Sequence, residues 1–416
     1  LTLLDPACGS GHILVEGYDL FKAIYTERGY NKREIPRLIL QKNLFGLEID
    51  DRAAQLAAFA LMMKARADDR RIFDSESKPN VVALQDSEGM KASEIHFALT
   101  SPLKGEQEGE LDSPAPDGHL FEPDDNLFTR AAAKSTAHRP LLSAHFTKAD
   151  ITHLLGLFEN AKTFGSLIKV APKLAAKLPE IEMRLDDVLK SGDLTHASAH
   201  IIKPLLQQAR LLARQYDAVV TNPPYMGVKA QTPLLKAFAQ QFFPNAKADV
   251  FAMFIERGFS FATRNGDVGY MTPFVWFFIK SYESLRATIV RTKCISTLIH
   301  PEYNTFWESA HVTICAFVIR NIFTHATGAF IDLRNVYGAD AQQPVLREAA
   351  SNPTCKWRYT VSSTTFEQIP GSPIAYWASE RVRLAFKEMP PFSNFAETRI
   401  GLITGDNARF LRRWWE

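Results

Sequence analysis

The chain of 416 residues is longer than one small domain, which predicts two or three domains or one core with a large insertion. Its hydrophobic content of 46% is sufficient for a buried core and excludes a disordered or fibrous chain. The 48 Lys and Arg residues nearly balance the 46 Asp and Glu residues, so total charge neither favours nor excludes nucleic acid, and any basic surface must be local.

Cysteine spacing and apolar runs indicate the compartment. The 4 cysteines are widely separated, with no C-x-x-C spacing and no metal pattern, which fits a reducing cytoplasm and predicts no metal site. The longest apolar run, residues 268–279, is too short to cross a bilayer, and no signal peptide is recognisable. We therefore expect a cytoplasmic protein that contacts no membrane.

Because the chain begins inside an apolar run and ends at Trp414-Trp415-Glu416, we also expect a fragment of a longer polypeptide.

Short apolar runs alternate with helical periodicity along the chain. The predicted strands are residues 1–4, 44–49, 81–85, 218–222, 268–272, 295–300 and 312–320. Amphipathic helices are predicted over residues 13–25 and 53–67. This alternation is typical of βαβ units, so we expect a mostly parallel, doubly wound α/β sheet. The last two strands are expected to pair as an antiparallel hairpin at the sheet edge.

A large helical and loop insertion, about residues 87–215, interrupts the alternation. Residues 86–125 carry eleven acids against two bases, a composition that cannot bury a core and predicts a mobile surface loop. Helical spacing returns at residues 151–170, 180–190 and 201–216.

The first strand is followed by a glycine-containing turn, the string Asp5-Pro6-Ala7-Cys8-Gly9-Ser10-Gly11. Ligands bind at the carboxyl ends of the strands in such sheets, and residues without a Cβ allow close approach of the backbone. The carboxylate of Asp5 suits an ammonium group, which a dinucleotide would not need. The spacing also departs from G-x-G-x-x-G, so a nicotinamide dinucleotide is disfavoured.

Acidic residues follow the next two predicted strands. Glu48 is placed to accept hydrogen bonds from both hydroxyls of a ribose, and Ile49 offers an apolar face to an adenine. Asp86 is placed to accept from the amino group of that adenine. Asp50 is expected to cap the helix that follows.

The fourth strand ends in Asn222-Pro223-Pro224-Tyr225. Two prolines fix the backbone and leave carbonyls that no helix or ladder uses. The Asn222 side-chain oxygen and the Pro223 carbonyl are suited to accept from one amino group, and Tyr225 offers a face for stacking a base. Residues 222–300 also carry nine bases and four acids, which suits phosphate contacts. Six aromatic residues in this segment are expected to be ordinary core: Phe242, Phe243, Trp276, Phe277, Phe278 and Tyr282.

The first motif, the Gly46–Asp50 string and the Asn-Pro-Pro-Tyr turn together resemble the S-adenosylmethionine-dependent DNA adenine-N6 methyltransferases. Further strings resemble the PglX family of BREX phage-defence methyltransferases: FGSLI at 164–168, NPPYMG at 222–227, FAMFIERG at 251–258, PGSPIAYW at 370–377 and GLITGDNARFLR at 401–412.

The resemblance implies a Rossmann-like class I methyltransferase domain in residues 1–330, with a linker and a truncated target-recognition region in residues 331–416. It implies S-adenosyl-L-methionine as cofactor, double-stranded DNA as partner and other defence proteins as further partners. The implied cofactor-binding residues are Asp5, Pro6, Ala7, Gly9, Gly11, Glu48, Ile49 and Asp86. The implied catalytic residues are Asn222, Pro223, Pro224 and Tyr225, which act on an adenine flipped out of the duplex.

Two other functions are possible for this sequence. Methylation of a protein glutamine also employs an Asn-Pro-Pro-Tyr turn around a planar amide, but the large insertion and the Asp-Pro opening disfavour it. A catalytically incomplete DNA-binding component of a defence complex is the third possibility. Since the family's adenine-binding helix ahead of the first motif is absent, we expect the isolated fragment to bind cofactor poorly and to methylate little or nothing.

Overall fold

The computed structural model describes residues 1–74, 77–101, 146–191, 199–302 and 313–397. The chain divides into two compact units, Leu1–Thr272 and Pro273–Glu416. The functional domain boundary near residue 330 stays a prediction, because a division by packing does not locate the end of a methyltransferase domain. Most of the acidic stretch, from residue 102 onward, lies outside the described residues.

The first unit is built on a parallel sheet. Its described strands are β1 (Leu3–Asp5), β2 (Leu44–Glu48), β3 (Asn80–Ala83), β4 (Tyr216–Thr221) and β5 (Ala262–Pro273). They lie in the order β3-β2-β1-β4-β5, with every neighbouring pair parallel. The order reverses at β1, whose neighbours are β2 and β4, and ligands bind at such reversals in doubly wound sheets. The predicted Rossmann-like α/β fold is confirmed.

Helices connect these strands. Those described in the first unit are α1 (His12–Glu27), α2 (Ile35–Leu38), α3 (Asp51–Asp68), α4 (Ala92–Thr100), α5 (Lys148–Leu157), α6 (Ala161–Phe164), α7 (Pro172–Ala175), α8 (Leu178–Ser191), α9 (Lys203–Ala213), α10 (Pro233–Phe242) and α11 (Val250–Phe261). The second unit contributes α12 (Glu283–Thr292), α13 (Ala339–Ser351) and α14 (Glu380–Glu388). Among the described helices, none is long and apolar enough to cross a membrane.

Helices α1 and α3 pack together because each keeps apolar residues on one face. In α3 the buried residues Ala57, Leu61 and Ala65 recur every four positions. They share one hydrophobic core with Leu14 and Tyr18 of α1. The predicted helices over residues 13–25 and 53–67 are therefore confirmed. Leu3 of β1 and Leu44 of β2 belong to the same core.

The predicted mobile loop is wrong for its described beginning. Helix α4 occupies Ala92–Thr100 and buries Ile95, Ala98 and Leu99. Arg184 of α8 donates hydrogen bonds to the carbonyls of Leu99 and Ser101, at 2.7 and 2.8 Å. Acidic composition averaged over residues 86–125 concealed this short apolar face, which needs only three residues at helical spacing.

The second unit contains a mixed sheet. Its described strands are β6 (Cys294–His300), β7 (Ile314–Arg320), β8 (Thr327–Asp332) and β9 (Arg358–Ser362). The predicted antiparallel pairing of β6 with β7 is confirmed. Its position at the sheet edge is wrong, since β8 pairs in parallel with the other side of β6, and β9 pairs with β8. The sequence interpretation missed both later strands, because Gly328 and polar residues weaken their apolar alternation.

Asp50 caps the start of α3. Its side chain accepts a hydrogen bond of 2.8 Å from the backbone N–H of Ala53, as the sequence predicted. We expect Asp50→Ala to lower the free energy of unfolding by about 0.5–2 kcal/mol, measured by denaturant titration. Asp50→Asn keeps an accepting oxygen and should lose much less. An equal loss in both variants would contradict a capping role.

Candidate active site

A cavity of about 340 Å³ lies where β1, β2 and β4 end. This size is within the range of roughly 300–1,000 Å³ found for cofactor sites. Its walls come from the first-motif turn, the β2 end, the Asn-Pro-Pro-Tyr turn, the insertion, α10 and α11. The lining residues are Pro6, Ala7, Glu48, Ile49, Leu84, Thr163, Phe164, Gly165, Ser166, Leu167, Asn222, Pro224, Met226, Leu235, Val250 and Phe254.

The first-motif turn is bound to the end of β2. Gly9 has φ of +52° and its N–H donates to a Glu48 carboxylate oxygen at 2.8 Å. Gly11 has φ of +88°, and a Cβ there would lie 2.8 Å from the Cβ of Ala57 in α3. Both glycines are therefore required for the turn and for its packing, whereas Pro6 and Ala7 are the residues of this motif that line the cavity.

Asp5 lies at the junction of two strands. It is only 1% exposed, and its Oδ1 accepts from the Thr221 hydroxyl at 2.7 Å and from the Ala7 N–H at 3.1 Å. Burial raises the pKa of Asp5 to about 7, although the Thr221 hydrogen bond opposes this shift. Asp5 does not itself line the cavity. Its carboxyl group instead joins the turn after β1 to the end of β4.

Glu48 is half-buried and lines the cavity beside Ile49. Its Oε1 accepts from the N–H groups of Ile49 and Asp50 at 2.8 and 3.1 Å, in addition to the Gly9 bond to Oε2. A carboxylate has about four acceptor positions, so roughly one stays available for a ligand. Ile49 is 44% exposed and presents an apolar surface there.

Asp86 lies outside the cavity lining. Its Oδ1 accepts from the backbone N–H of Lys162 at 3.0 Å, which attaches the insertion to the end of β3. Leu84 is the residue after β3 that lines the cavity. The adenine contact predicted for Asp86 stays a prediction.

The Asn-Pro-Pro-Tyr turn leaves β4 at the cavity rim. Asn222 and Pro224 line the cavity, and Pro223 is buried. The Tyr225 hydroxyl lies 2.6 Å from Asn222 Oδ1 and 3.1 Å from the Met271 carbonyl, two acceptors for its one hydrogen. Tyr225 is 39% exposed, and its ring meets Phe251 edge-on.

The end of the turn is fastened to α11. Asp249 accepts from the Met226 N–H at 2.8 Å and from the Phe251 N–H at 3.2 Å. The Val250 N–H donates in return to the Met226 carbonyl at 3.2 Å. These bonds hold the turn against the start of the helix that also supplies Val250 and Phe254 to the cavity.

The basic and aromatic residues of 222–300 divide by burial. Of the six aromatic residues expected to be ordinary core, Phe243, Trp276, Phe277 and Tyr282 are buried, whereas Phe242 and Phe278 are exposed. Two of the nine bases, Arg257 and Arg286, are also buried. The surface charge available for phosphate contacts is therefore smaller than the sequence count indicates.

Sequence reasoning missed the contribution of the insertion. Five consecutive residues, 163–167, line the cavity. The only available signal was the FGSLI string at 164–168, which carried a family resemblance but no assigned role. In the described part of the chain, no group of three or more His, Cys, Asp or Glu side chains is placed to hold a metal ion.

A second cavity, of about 660 Å³, lies between α8 and α9. Charged residues such as Glu182, Asp186 and Arg210 line it, and none of the sequence motifs reaches it. We therefore assign the candidate site to the smaller cavity, where the strand ends and the motifs meet.

The chain is similar to known restriction-modification and adenine-specific methyltransferases. The Eco57I restriction-modification methylase family model matches residues 42–306. Over 421 residues the chain is 38% identical to the adenine-specific methyltransferase BrxX of Escherichia coli O9:H4 (strain HS), and the match covers 100% of this chain and 32% of that protein. It is 30% identical over 426 residues to the adenine-specific methyltransferase PglX of Lacticaseibacillus casei (strain Zhang), with the same two coverages, 100% and 32%.

A solved modification subunit of a putative type I restriction enzyme from Vibrio vulnificus YJ016 superposes with a TM-score of 0.45 at 10% identity. That match covers 88% of this chain and 52% of that one.

The chain belongs to the Eco57I restriction-modification methylase family. The resemblance to the PglX methyltransferases is confirmed, and a methyltransferase is what the two motifs indicated. The chain spans about a third of the length of the curated relatives it matches.

The raised pKa of Asp5 predicts a pH dependence of stability. In the unfolded chain Asp5 ionises near its ordinary pKa of 3.8, whereas the folded protein keeps it protonated up to about pH 7. At Asp5 the folded state therefore binds more protons in this window, and the contribution of Asp5 to stability falls as pH rises from about 4 to about 7.

Asp5→Asn removes this titration. The stability of the variant relative to the unchanged chain should rise across the same window, by up to about 1.4 kcal/mol per pH unit, and become constant above it. Denaturant titrations at several pH values measure the difference. Parallel stability curves for the two proteins would contradict the raised pKa.

Proposed function

We propose that this protein is a site-specific DNA adenine-N6 methyltransferase that uses S-adenosyl-L-methionine in restriction-modification or BREX-type phage defence. The observation that carries the proposal is that one cavity is lined both by residues of the cofactor motifs and by Asn222 and Pro224 of the Asn-Pro-Pro-Tyr turn. The finer enzyme class is a site-specific DNA-methyltransferase (adenine-specific). The two relatives carry adenine-specific methyltransferase names, which supports adenine as the target.

The residues present suit the cofactor. Asp5 does not line the cavity, so its carboxylate, formed above about pH 7, would attract the cofactor's ammonium group without direct contact. Glu48 has an acceptor position for a ribose hydroxyl, and a second hydroxyl would replace one of its backbone partners. Ile49 and Leu84 supply apolar walls for the adenine, and Asp86 has a second oxygen for its amino group. When bound, the cofactor supplies the methyl group as an electrophile.

Asn222 and Pro223 would hold the target amine. Its nitrogen is poorly nucleophilic, because its lone pair is conjugated with the adenine ring. Accepting both hydrogens at the Asn222 Oδ1 and the Pro223 carbonyl favours a pyramidal nitrogen whose lone pair points away from these residues. No strong base is needed, since orientation and hydrogen bonding lower the barrier.

Tyr225 would support the flipped base. In the structure its hydroxyl donates a hydrogen bond to Asn222 Oδ1. An incoming amine must therefore share that oxygen with the hydroxyl or displace it. The exposed part of the Tyr225 ring offers stacking area that replaces part of the stacking lost from the duplex. Exposed bases such as Lys229, Lys247 and Arg264 are suited to phosphate contacts.

The substrate is identified by methyl transfer. The full-length protein is incubated with methyl-labelled S-adenosylmethionine and either duplex DNA or a glutamine-containing release-factor protein. The labelled product is then hydrolysed and identified by mass spectrometry. We expect label in N6-methyladenine of DNA. Label on glutamine would support the protein methyltransferase instead, and label on neither would support a DNA-binding component without activity.

Asn222→Ala should separate chemistry from cofactor binding. Because Asn222 is assigned to the target amine, we expect Asn222→Ala in the full-length protein to abolish methyl transfer. The dissociation constant for S-adenosylmethionine should stay within about three-fold, which is a change of less than about 1 kcal/mol in binding free energy. Calorimetry and the transfer assay measure the two quantities. Equal loss of cofactor affinity would mean that the role of Asn222 is misassigned.

Glu48→Ala should show the opposite pattern. Loss of its ribose contact and of its bond to the Gly9 N–H should weaken cofactor binding by roughly 1–3 kcal/mol. Glu48→Gln keeps one accepting oxygen and should lose less. A binding isotherm for Glu48→Ala that matches the unchanged protein would remove Glu48 from the cofactor site.

A further inference from the structure

We propose that residues 160–168, here called the covering segment, form the wall that encloses the adenosine part of the cofactor, and that Arg257 is the positioning residue that holds this wall in place. The proposal rests on the proposed function, because it assigns a role within that same cavity. It assigns a structural role to the FGSLI string at residues 164–168, which lies outside both the first motif and the Asn-Pro-Pro-Tyr turn.

The covering segment is attached to the loops that follow three strands. The Ser166 hydroxyl donates to the Pro6 carbonyl at 2.5 Å, after β1. The Lys162 ammonium donates to the Ile49 carbonyl at 2.8 Å, after β2. The Lys162 backbone N–H donates to Asp86 at 3.0 Å, after β3. One short stretch of the insertion therefore crosses all three loops to which cofactor contacts are assigned.

The approach of the segment to Ile49 is close. Gly165 has φ of +56°, and a Cβ at this position would lie 3.0 Å from the Ile49 Cγ2. Because Ile49 is assigned to one face of the adenine, the backbone at Gly165 is placed near the same group. Phe164 lines the cavity and stacks on Phe238 with ring centroids 4.1 Å apart, which fixes its ring.

Arg257 anchors the segment from inside the protein. It is 4% exposed and donates to the carbonyls of Ser166 and Ile168, at 3.0 and 2.8 Å, and to that of Leu212 at 3.0 Å. Its guanidinium also lies 3.6 Å from the ring centre of Phe261. Burial lowers the pKa of Arg257 to about 9, so it remains charged at neutral pH.

A planar guanidinium suits this position and an ammonium does not. Arg presents several N–H donors in a fixed fork, whereas Lys presents one compact charge on a flexible stem. Arg257→Lys would leave at least one of the Ser166 and Ile168 carbonyls buried without its donor. The wall should then loosen, while the cofactor contacts from Glu48 and the first motif stay in place.

The chain contains a matched control for this variant. Arg286 in the second unit is 1% exposed and donates to the carbonyls of Gly371, Trp276 and Ile279. Like Arg257, it is shielded from solvent and bound to main-chain oxygens, and it does not line the cavity. Arg286→Lys should lower thermal stability without changing cofactor binding.

The experiment uses the full-length protein and measures S-adenosylmethionine binding by calorimetry for the unchanged sequence, Arg257→Lys, Ser166→Ala and Arg286→Lys. We expect the dissociation constant to rise about tenfold or more in Arg257→Lys and about three- to tenfold in Ser166→Ala, with Arg286→Lys unchanged. In methyl transfer, Arg257→Lys should raise KM for S-adenosylmethionine while kcat at saturating cofactor and KM for DNA stay near the original values.

Ser166→Ala keeps Arg257 and removes one hydrogen bond, so it tests the wall even where Arg257→Lys folds poorly. Unchanged binding in Ser166→Ala and Arg257→Lys would overturn the inference while leaving the proposed function intact. An equal rise in Arg257→Lys and Arg286→Lys would also overturn it, since the effect would then be general loss of stability. No binding by the unchanged protein would overturn the proposed function and the inference together.

Discussion

The hydrogen bond from the Thr221 hydroxyl to the Asp5 carboxyl group is the contact on which the candidate site depends. It joins the ends of β1 and β4, the neighbours at which the strand order reverses. The register that pairs Leu4 with Val219 then brings the first-motif turn and the Asn-Pro-Pro-Tyr turn to one crevice. A cofactor and an amine bound by these two turns would meet there, although 216 residues separate Asp5 from Thr221 along the chain.

The insertion between β3 and β4 completes this crevice. It leaves the sheet after β3, and its residues 160–168 return across the loops after β1, β2 and β3. Burying the charge of Arg257 costs free energy, and its hydrogen bonds to three carbonyl groups offset that cost. The same hydrogen bonds attach the insertion to α11. The insertion is thus part of the site, and the sequence-based expectation of weak cofactor binding did not take this wall into account.

The sequence predicted what depends on local pattern. The strands of the parallel sheet, the capping by Asp50 and the meeting of Glu48 with Asn222 in one cavity follow from short apolar runs and from the rule that ligands bind at strand ends. Arg257 was counted as a surface base, because nothing in its neighbouring residues reveals a buried network with partners at positions 166, 168 and 212. Helix α4 and strands β8 and β9 were missed because acidic or polar composition concealed short apolar patterns.

The most direct measurement is a crystal structure of the protein with the cofactor analogue sinefungin. The account predicts density in the cavity of about 340 Å³, with the ribose at Glu48, the adenine against Ile49 and the covering segment, and the amino-acid end beside Pro6 and Ala7. The amine that stands in place of the transferable methyl group should point toward Asn222. Density in the cleft between α8 and α9, or in the main cavity with the adenine away from Ile49 and Gly165, would contradict it.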